Sequence, residues 1–182
     1  MRKLVLAALL GAVATALVTG SFAIAGGGGG SSSHFKAPLD GWQEDPTVVT
    51  TGEGRFRARR VDSDTIEFWL RYEDLEGAPA QAHIHIGSHH ENGGVSGWLC
   101  GPAADTNQGL CPAAPEGEDA EVHGFIEAED VTGPAGQGVQ PREIDDLIRA
   151  MRNDEAYANV HTGLFVGCEI GGDLGRGPER EH

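Results

Sequence analysis

Three histidines have the residue type and the spacing needed to bind a metal ion. Residues 82–87 read Ala-His-Ile-His-Ile-Gly, so that His83 and His85 flank a single isoleucine. Side chains alternate between the two faces of a strand, and the apolar residues here would enter a core while the two imidazoles share the opposite face. Neutral imidazoles held side by side are typical ligands of copper and zinc.

A third ligand must come from another segment, and His161 is the best candidate. It lies in the stretch Asn-Val-His-Thr at residues 159–162, where Ala158 and Val160 have the spacing of core residues. The same alternation places His161 on the outer face of its strand, on the same side as the His83/His85 pair. His89, His90 and His123 are further possible ligands. Without a metal, the pair could instead form hydrogen bonds within the sheet or face solvent.

The sequence offers little for nucleophilic catalysis. Ser96 lacks the glycine spacing of a nucleophile elbow, and no glycine-rich loop leads from a strand directly into a helix. Three cysteines favour one disulfide and one free thiol if the chain is exported. Cys100 and Cys111 flank a short Gly/Pro loop and are the expected pair, and a Cys100–Cys168 bond is the alternative.

The first 33 residues are expected to lie outside the folded domain. A basic start, an apolar run and a small-residue motif ending at Ala25 predict a signal peptide over residues 1–25. Residues 26–33 contain only Gly and Ser, the composition of a flexible linker. We therefore expect a secreted, extracellular protein without a membrane span after cleavage.

The chain is strongly acidic. It contains 28 Asp and Glu against 13 Lys and Arg, with a formal net charge of -15 at pH 7. The acidic residues are spread along the whole chain, and no basic patch is present, so nucleic acid is not an expected partner. A solvated, acidic surface is the simplest interpretation.

The segments that carry these histidines belong to an all-β sequence pattern. About eight short alternating segments are separated by turn residues, and one amphipathic helix is predicted late in the chain, at about residues 141–153. Pro38 favours an edge position for the first strand. The pattern predicts an antiparallel Greek-key β-sandwich over residues 34–174, followed by a disordered tail over 175–182.

In order and spacing, several short segments resemble the CHRD (chordin) domain family. They are residues 41–46 (Gly-Trp-Gln-Glu-Asp-Pro), 82–87 (Ala-His-Ile-His-Ile-Gly), 92–95 (Asn-Gly-Gly-Val), 128–131 (Ala-Glu-Asp-Val) and 157–162 (Tyr-Ala-Asn-Val-His-Thr). The resemblance implies an exported, β-rich domain, found alone in bacteria and repeated in chordin, which binds growth factors. It implies no established enzymatic activity, so we expect a non-catalytic binding or structural module with an extracellular protein or surface component as partner.

A weaker similarity is to the sandwich of copper/zinc superoxide dismutase. It rests on the His-x-His strand followed by glycine, and on Cys168-Glu169-Ile170-Gly171 in the last strand. This resemblance implies that His83 and His85 match two copper ligands and that His161 is a third. No bridging histidine or zinc-binding set has the expected spacing. The alternative function is thus a copper-binding or redox protein that uses a surface cluster of histidines, and copper is the one cofactor suggested.

Overall fold

The computed structural model describes residues 34–88, 91–102, 106–115 and 117–176. The predicted signal peptide, the Gly/Ser linker, His89 and His90 lie outside the described residues. Nine strands and one α-helix follow one another in the chain. They are β1 (His34–Asp40), β2 (Glu53–Arg60), β3 (Thr65–Glu73), β4 (Pro79–Ile86), β5 (Val95–Cys100), β6 (Ala120–Glu127), α1 (Ile144–Arg152), β7 (Ala156–Thr162), β8 (Ile170–Asp173) and β9 (Gly175–Arg176).

All of the strands belong to one antiparallel sheet that nearly closes on itself. Eight of them run in the order β5-β4-β7-β8-β1-β2-β3-β6, and β9 pairs with β1. The two ends of this series approach each other, and a bridge joins Gly97 of β5 to Val131 just after β6. The chain passes three times between the halves β5-β4-β7-β8 and β1-β2-β3-β6. The all-β Greek-key sandwich predicted from the sequence is therefore confirmed.

The core lies between the two halves of the sheet. Alternate residues of each strand point inward, as in β2, where Phe56 and Ala58 are buried between exposed arginines. Aromatic and branched side chains fill the interior, and the largest buried ones include Phe35, Phe68 and Tyr72. Burial of such apolar surface is the main force that holds a sandwich together.

The first strand does not lie at an edge, so that prediction was wrong. β1 pairs with β2 on one side, and on the other it pairs with β8 at Asp40 and with β9 at Phe35 and Lys36. Pro38 is tolerated because it falls in the gap between the β8 and β9 pairings, where no ladder hydrogen bond is needed from its nitrogen. Gly175 and Arg176, predicted as part of a disordered tail, form the short strand β9.

The predicted helix is present and begins three residues later than expected. Its buried residues are the four of the predicted apolar stripe, Ile144, Leu147, Ile148 and Met151. Arg142 has a φ of 72°, a left-handed conformation that cannot continue into a right-handed helix. The helix therefore begins at Ile144. Of the helices in the described part of the chain, none has the length and apolar character needed to cross a lipid bilayer.

Candidate metal centre

The pairing of β4 with β7 places the three predicted histidines on one face of the sheet. In the register of these strands, His83 lies opposite Asn159, and His161 lies opposite Gln81. Residues directly opposite each other in an antiparallel pair point to the same face. The other face carries Ile84 and its neighbours, which join the core. The shared face predicted from strand alternation is confirmed.

The three imidazoles converge. One ring nitrogen of each of His83, His85 and His161 lies within 4.8 Å of those of the other two. Three points no more than 4.8 Å apart lie within 4.8/√3, about 2.8 Å, of a common centre. A metal–nitrogen bond to histidine is about 2.0–2.1 Å long, so small side-chain rotations would complete the coordination.

The cluster is buried, so the predicted surface location was wrong. His83, His85 and His161 are only 3%, 7% and 8% exposed. The ring of Trp98 stands perpendicular to that of His83 at 4.3 Å between centroids, and Tyr157 stacks on His85 at 4.8 Å. Aromatic rings and neighbouring loops thus cover the face that the sequence pattern assigns to solvent.

Main-chain carbonyls orient two of the imidazoles and fix their tautomers. His85 Nδ1 lies 2.8 Å from the carbonyl oxygen of Gly93, and His161 Nδ1 lies 3.0 Å from that of Val166. A carbonyl oxygen can only accept, so each Nδ1 carries the proton and donates it. The Nε2 atom of each ring is therefore left with a free lone pair, which is the form that binds a metal ion.

The ring of His83 differs from the other two, because it faces the cluster through Nδ1 and not through Nε2. His83 Nδ1 lies 3.2 Å from His161 Nε2. Two nitrogens at this separation, each about 2.0 Å from one ion, would subtend an angle of about 105°, which is close to tetrahedral. The Nε2 atoms of His83 and His85 are buried without a hydrogen-bond partner among the described residues. The donor set indicated is His83 Nδ1 with His85 Nε2 and His161 Nε2.

Burial keeps all three rings neutral. Loss of solvation, with smaller contributions from His161 and His85, lowers the pKa of His83 to about 3. Burial also lowers the pKa of His85 and of His161. The neutral form is the one with a lone pair to give, so protons compete weakly with a metal at neutral pH.

A small pocket of about 70 Å³ reaches two of the three histidines. Its lining contains the buried residues His85, His161, Tyr157 and Asn159. Three acidic residues also line it: Glu44, which is buried, and Asp45 and Glu91, which are exposed. Burial raises the pKa of Glu44 to about 6. Sequence reasoning missed these acids, because they lie in two loops far apart in the chain.

His123, a further predicted ligand, is not part of the cluster. His123 lies on β6, in the opposite half of the sheet, where it stacks on Trp69 at 5.1 Å and contacts the Glu67 carboxylate at 3.0 Å. His89 and His90 fall outside the described residues. Among the described residues, no second group of three or more potential ligands with this spacing is found.

The cysteines behave as the sequence predicts. Cys100 and Cys111 form a disulfide, so the alternative Cys100–Cys168 bond is excluded. Cys168 is a buried free thiol whose Sγ atom lies 3.3 Å from the carbonyl oxygens of Val160 and Ile170. Burial and the nearby Glu44 raise the pKa of this thiol. A protonated, covered thiol of this kind is a poor nucleophile.

These features define a disulfide-bonded, all-β domain with a buried cluster of three neutral histidines. The model of the CHRD domain family matches residues 35–174 of the chain. The protein belongs to the CHRD domain family. In comparisons with curated proteins and with solved structures, nothing matches the chain.

Proposed function

We propose that this CHRD-domain protein is a secreted copper-binding protein that holds one ion through His83, His85 and His161. The observation that carries the proposal is the convergence of three buried histidine nitrogens within 4.8 Å of one another. An unpaired polar atom inside a protein costs free energy, and one of the proposed donors, His85 Nε2, is such an atom. A bound cation would supply the missing partner.

The donor set favours copper over the other common metal ions. Imidazole nitrogens suit copper and zinc, whereas magnesium and calcium prefer oxygen ligands. Divalent copper forms the most stable complexes of the first-row divalent ions, and no thiolate is among the three ligands. We therefore expect Cu²⁺ to bind more tightly than Zn²⁺.

The proposed role is binding of the ion without catalytic turnover. The similarity to copper/zinc superoxide dismutase includes the histidine triad, but the described residues contain no second ligand group for zinc. The pocket that reaches the triad carries carboxylates, which disfavour an anionic substrate such as superoxide. Family membership, the disulfide and the signal-like N-terminus support secretion.

Calorimetric titration of the purified protein with Cu²⁺ and with Zn²⁺ tests the proposal. We expect one Cu²⁺ per chain with a Kd below about 1 μM, and weaker binding of Zn²⁺. Replacement of His83, His85 and His161 by Asn should weaken copper binding by about 100-fold or more, and near-UV circular dichroism verifies that the variant is folded.

A matched variant serves as the control for this titration. His123→Asn removes a histidine outside the cluster. It should keep the wild-type stoichiometry and affinity. Equal copper binding by the wild type and the triple variant would refute the proposal.

A further inference from the structure

Two loops from distant parts of the sequence meet at the pocket that reaches the histidine cluster. One follows β1, where Asp40 Oδ1 accepts hydrogen bonds from the backbone nitrogens of Trp42 at 2.9 Å and Gln43 at 3.1 Å. This turn places Glu44 and Asp45 beside the pocket. The other loop follows β4 and contributes Glu91 and Asn92.

A hydrogen bond joins the two loops. Asn92 Nδ2 donates to Asp45 Oδ2 at 3.3 Å, and Glu91 is held near the end of β4 because its Oε2 accepts from Ser88 N at 3.3 Å. Asp45, Glu91 and Asn92 are exposed, whereas the histidines of the lining are buried. The exposed residues therefore form the mouth of the pocket, and the imidazoles form its floor.

The mouth carries one sign of charge. Its acidic side chains are Asp45 and Glu91, the buried Glu44 lies deeper in the same pocket, and no lysine or arginine is among the described residues that line it. Like charges gathered at a concave site focus the electrostatic potential, which can raise the association rate of an oppositely charged ligand by about 10-fold to 1,000-fold. A cation is drawn to this mouth and an anion is repelled.

The floor independently indicates a ligand. His85 lines the pocket, is more than nine-tenths buried, and its Nε2 atom has no hydrogen-bond partner in the described part of the chain. His161, the second histidine of the floor, presents its Nε2 atom to His83 Nδ1. The same pocket thus has carboxylates at its mouth and nitrogen donors at its floor.

We propose that this acidic pocket is the entry port through which a divalent metal cation reaches the three histidines. The inference rests on the proposed copper site and adds the route by which that site is loaded. The exposed carboxylates of Asp45 and Glu91 attract the hydrated cation, which then exchanges water for the imidazole nitrogens. The same charges keep small anions away from the bound metal.

Stopped-flow loading with buffered copper(II) chloride tests the port. Trp98 packs against His83, so quenching of its fluorescence can report arrival of the ion. We expect the double variant Asp45→Asn/Glu91→Gln to load about 10-fold more slowly at low ionic strength, while it still binds one ion per chain. In about 0.5 M salt, where charges are screened, its rate should approach that of the wild type.

A control separates a local port from the overall negative charge of the protein. Glu118→Gln/Glu143→Gln removes the same number of charges from exposed positions outside the pocket lining. This control should load at nearly the wild-type rate. Equal slowing of both double variants, or no slowing of the pocket variant, would overturn the port while leaving one-to-one copper binding intact. No copper binding by the wild type would refute the metal site itself.

Discussion

The Nδ1 atom of His83 lies 3.2 Å from the Nε2 atom of His161, although 78 positions separate the two residues in the chain. Pairing of β4 with β7 brings them together, and the hydrogen bond from His161 Nδ1 to Val166 O determines which nitrogen faces His83. His161 Nε2 therefore has only a lone pair to offer. In the metal-free protein His83 Nδ1 must donate to it. A metal ion would bind both nitrogens once the His83 proton has moved from Nδ1 to Nε2.

The carbonyl of Gly93 orients His85, and displacement of that carbonyl should weaken metal binding. A Cβ atom at Gly93 would lie 1.8 Å from the carbonyl oxygen of Ile86, so Gly93→Ala must shift the loop. Loss of a partner that orients a ligand typically weakens metal binding by about 10-fold to 100-fold, and calorimetry can measure this change. Gly136→Ala is the control, because nothing lies within 4 Å of a Cβ there. Unchanged affinity in Gly93→Ala would show that this orientation is unimportant.

The buried carboxylate of Glu169, directly before β8, should contribute strongly to stability. Glu169 accepts hydrogen bonds from the hydroxyls of Thr50 and Thr162 at 2.7 Å, and from the backbone nitrogens of Glu76 and Gly77. Glu169→Ala leaves these donors unpaired in the interior. We expect it to lower the free energy of unfolding by about 3 kcal/mol in urea denaturation.

The control for this substitution is an exposed acidic residue. Glu129 forms an ion pair with Arg142, and both side chains are at least 60% exposed. Exposed pairs contribute little, so Glu129→Ala should change the free energy of unfolding by less than about 1 kcal/mol. Equal effects of the two substitutions on the free energy of unfolding would contradict a stabilising role for the buried Glu169 carboxylate.

Acidification should destabilise the metal-free protein through the histidine cluster. The pKa of His83 is lowered to about 3 from an ordinary value of 6.5, and the pKa values of His85 and His161 are lowered too. Below pH 6.5 the unfolded chain binds protons that the folded protein does not, so the stability present above 6.5 is lost as the pH falls toward 3. Glu44, with its pKa raised to about 6, opposes this trend because protonation favours its buried form.

Urea denaturation at ~pH 7 and ~pH 5 measures this dependence. We expect the free energy of unfolding to fall by roughly 2 kcal/mol or more over that interval, and His83→Gln should reduce the slope. A stability that is constant or rises on acidification would contradict the buried, neutral cluster.

The buried thiol of Cys168 should be unreactive while the protein is folded. Burial raises its pKa, and its Sγ atom contacts the main-chain carbonyls of Val160 and Ile170. A thiol reagent such as dithionitrobenzoate should modify it at least about 100 times more slowly than free cysteine. After unfolding in urea, one thiol per chain should react. Rapid modification of the native protein would show that the segment before β8, which contains Cys168, opens readily.

Local sequence patterns predicted much of the fold and the three ligands of the candidate site. Strand alternation placed His83 and His85 on one face, and the spacing of Ile144, Leu147, Ile148 and Met151 predicted the helix and its buried stripe. Both predictions rest on the periodicity of side chains within a single strand or helix, which can be read directly from the sequence. The close Cys100–Cys111 disulfide was predictable for a similar reason, since both residues flank one short loop.

Features that depend on contacts between distant segments could not be predicted. The alternation of side chains along a strand shows that the histidines point away from the apolar core. It cannot show that Trp98 and Tyr157 cover them. The partners of β1 and the meeting of Asp45 with Asn92 likewise depend on how the sheet curves. The burial that lowers the pKa values therefore arises from the tertiary structure.

The most direct test of the central claim is electron paramagnetic resonance of the protein loaded with one equivalent of Cu²⁺. We predict a single copper species with hyperfine structure from three nitrogen ligands, and loss of that species when His83, His85 and His161 are replaced by Asn. The His123→Asn protein should give the wild-type spectrum. A spectrum of aqueous copper, or an identical signal from the triple variant, would contradict the assignment of these three histidines as a metal site.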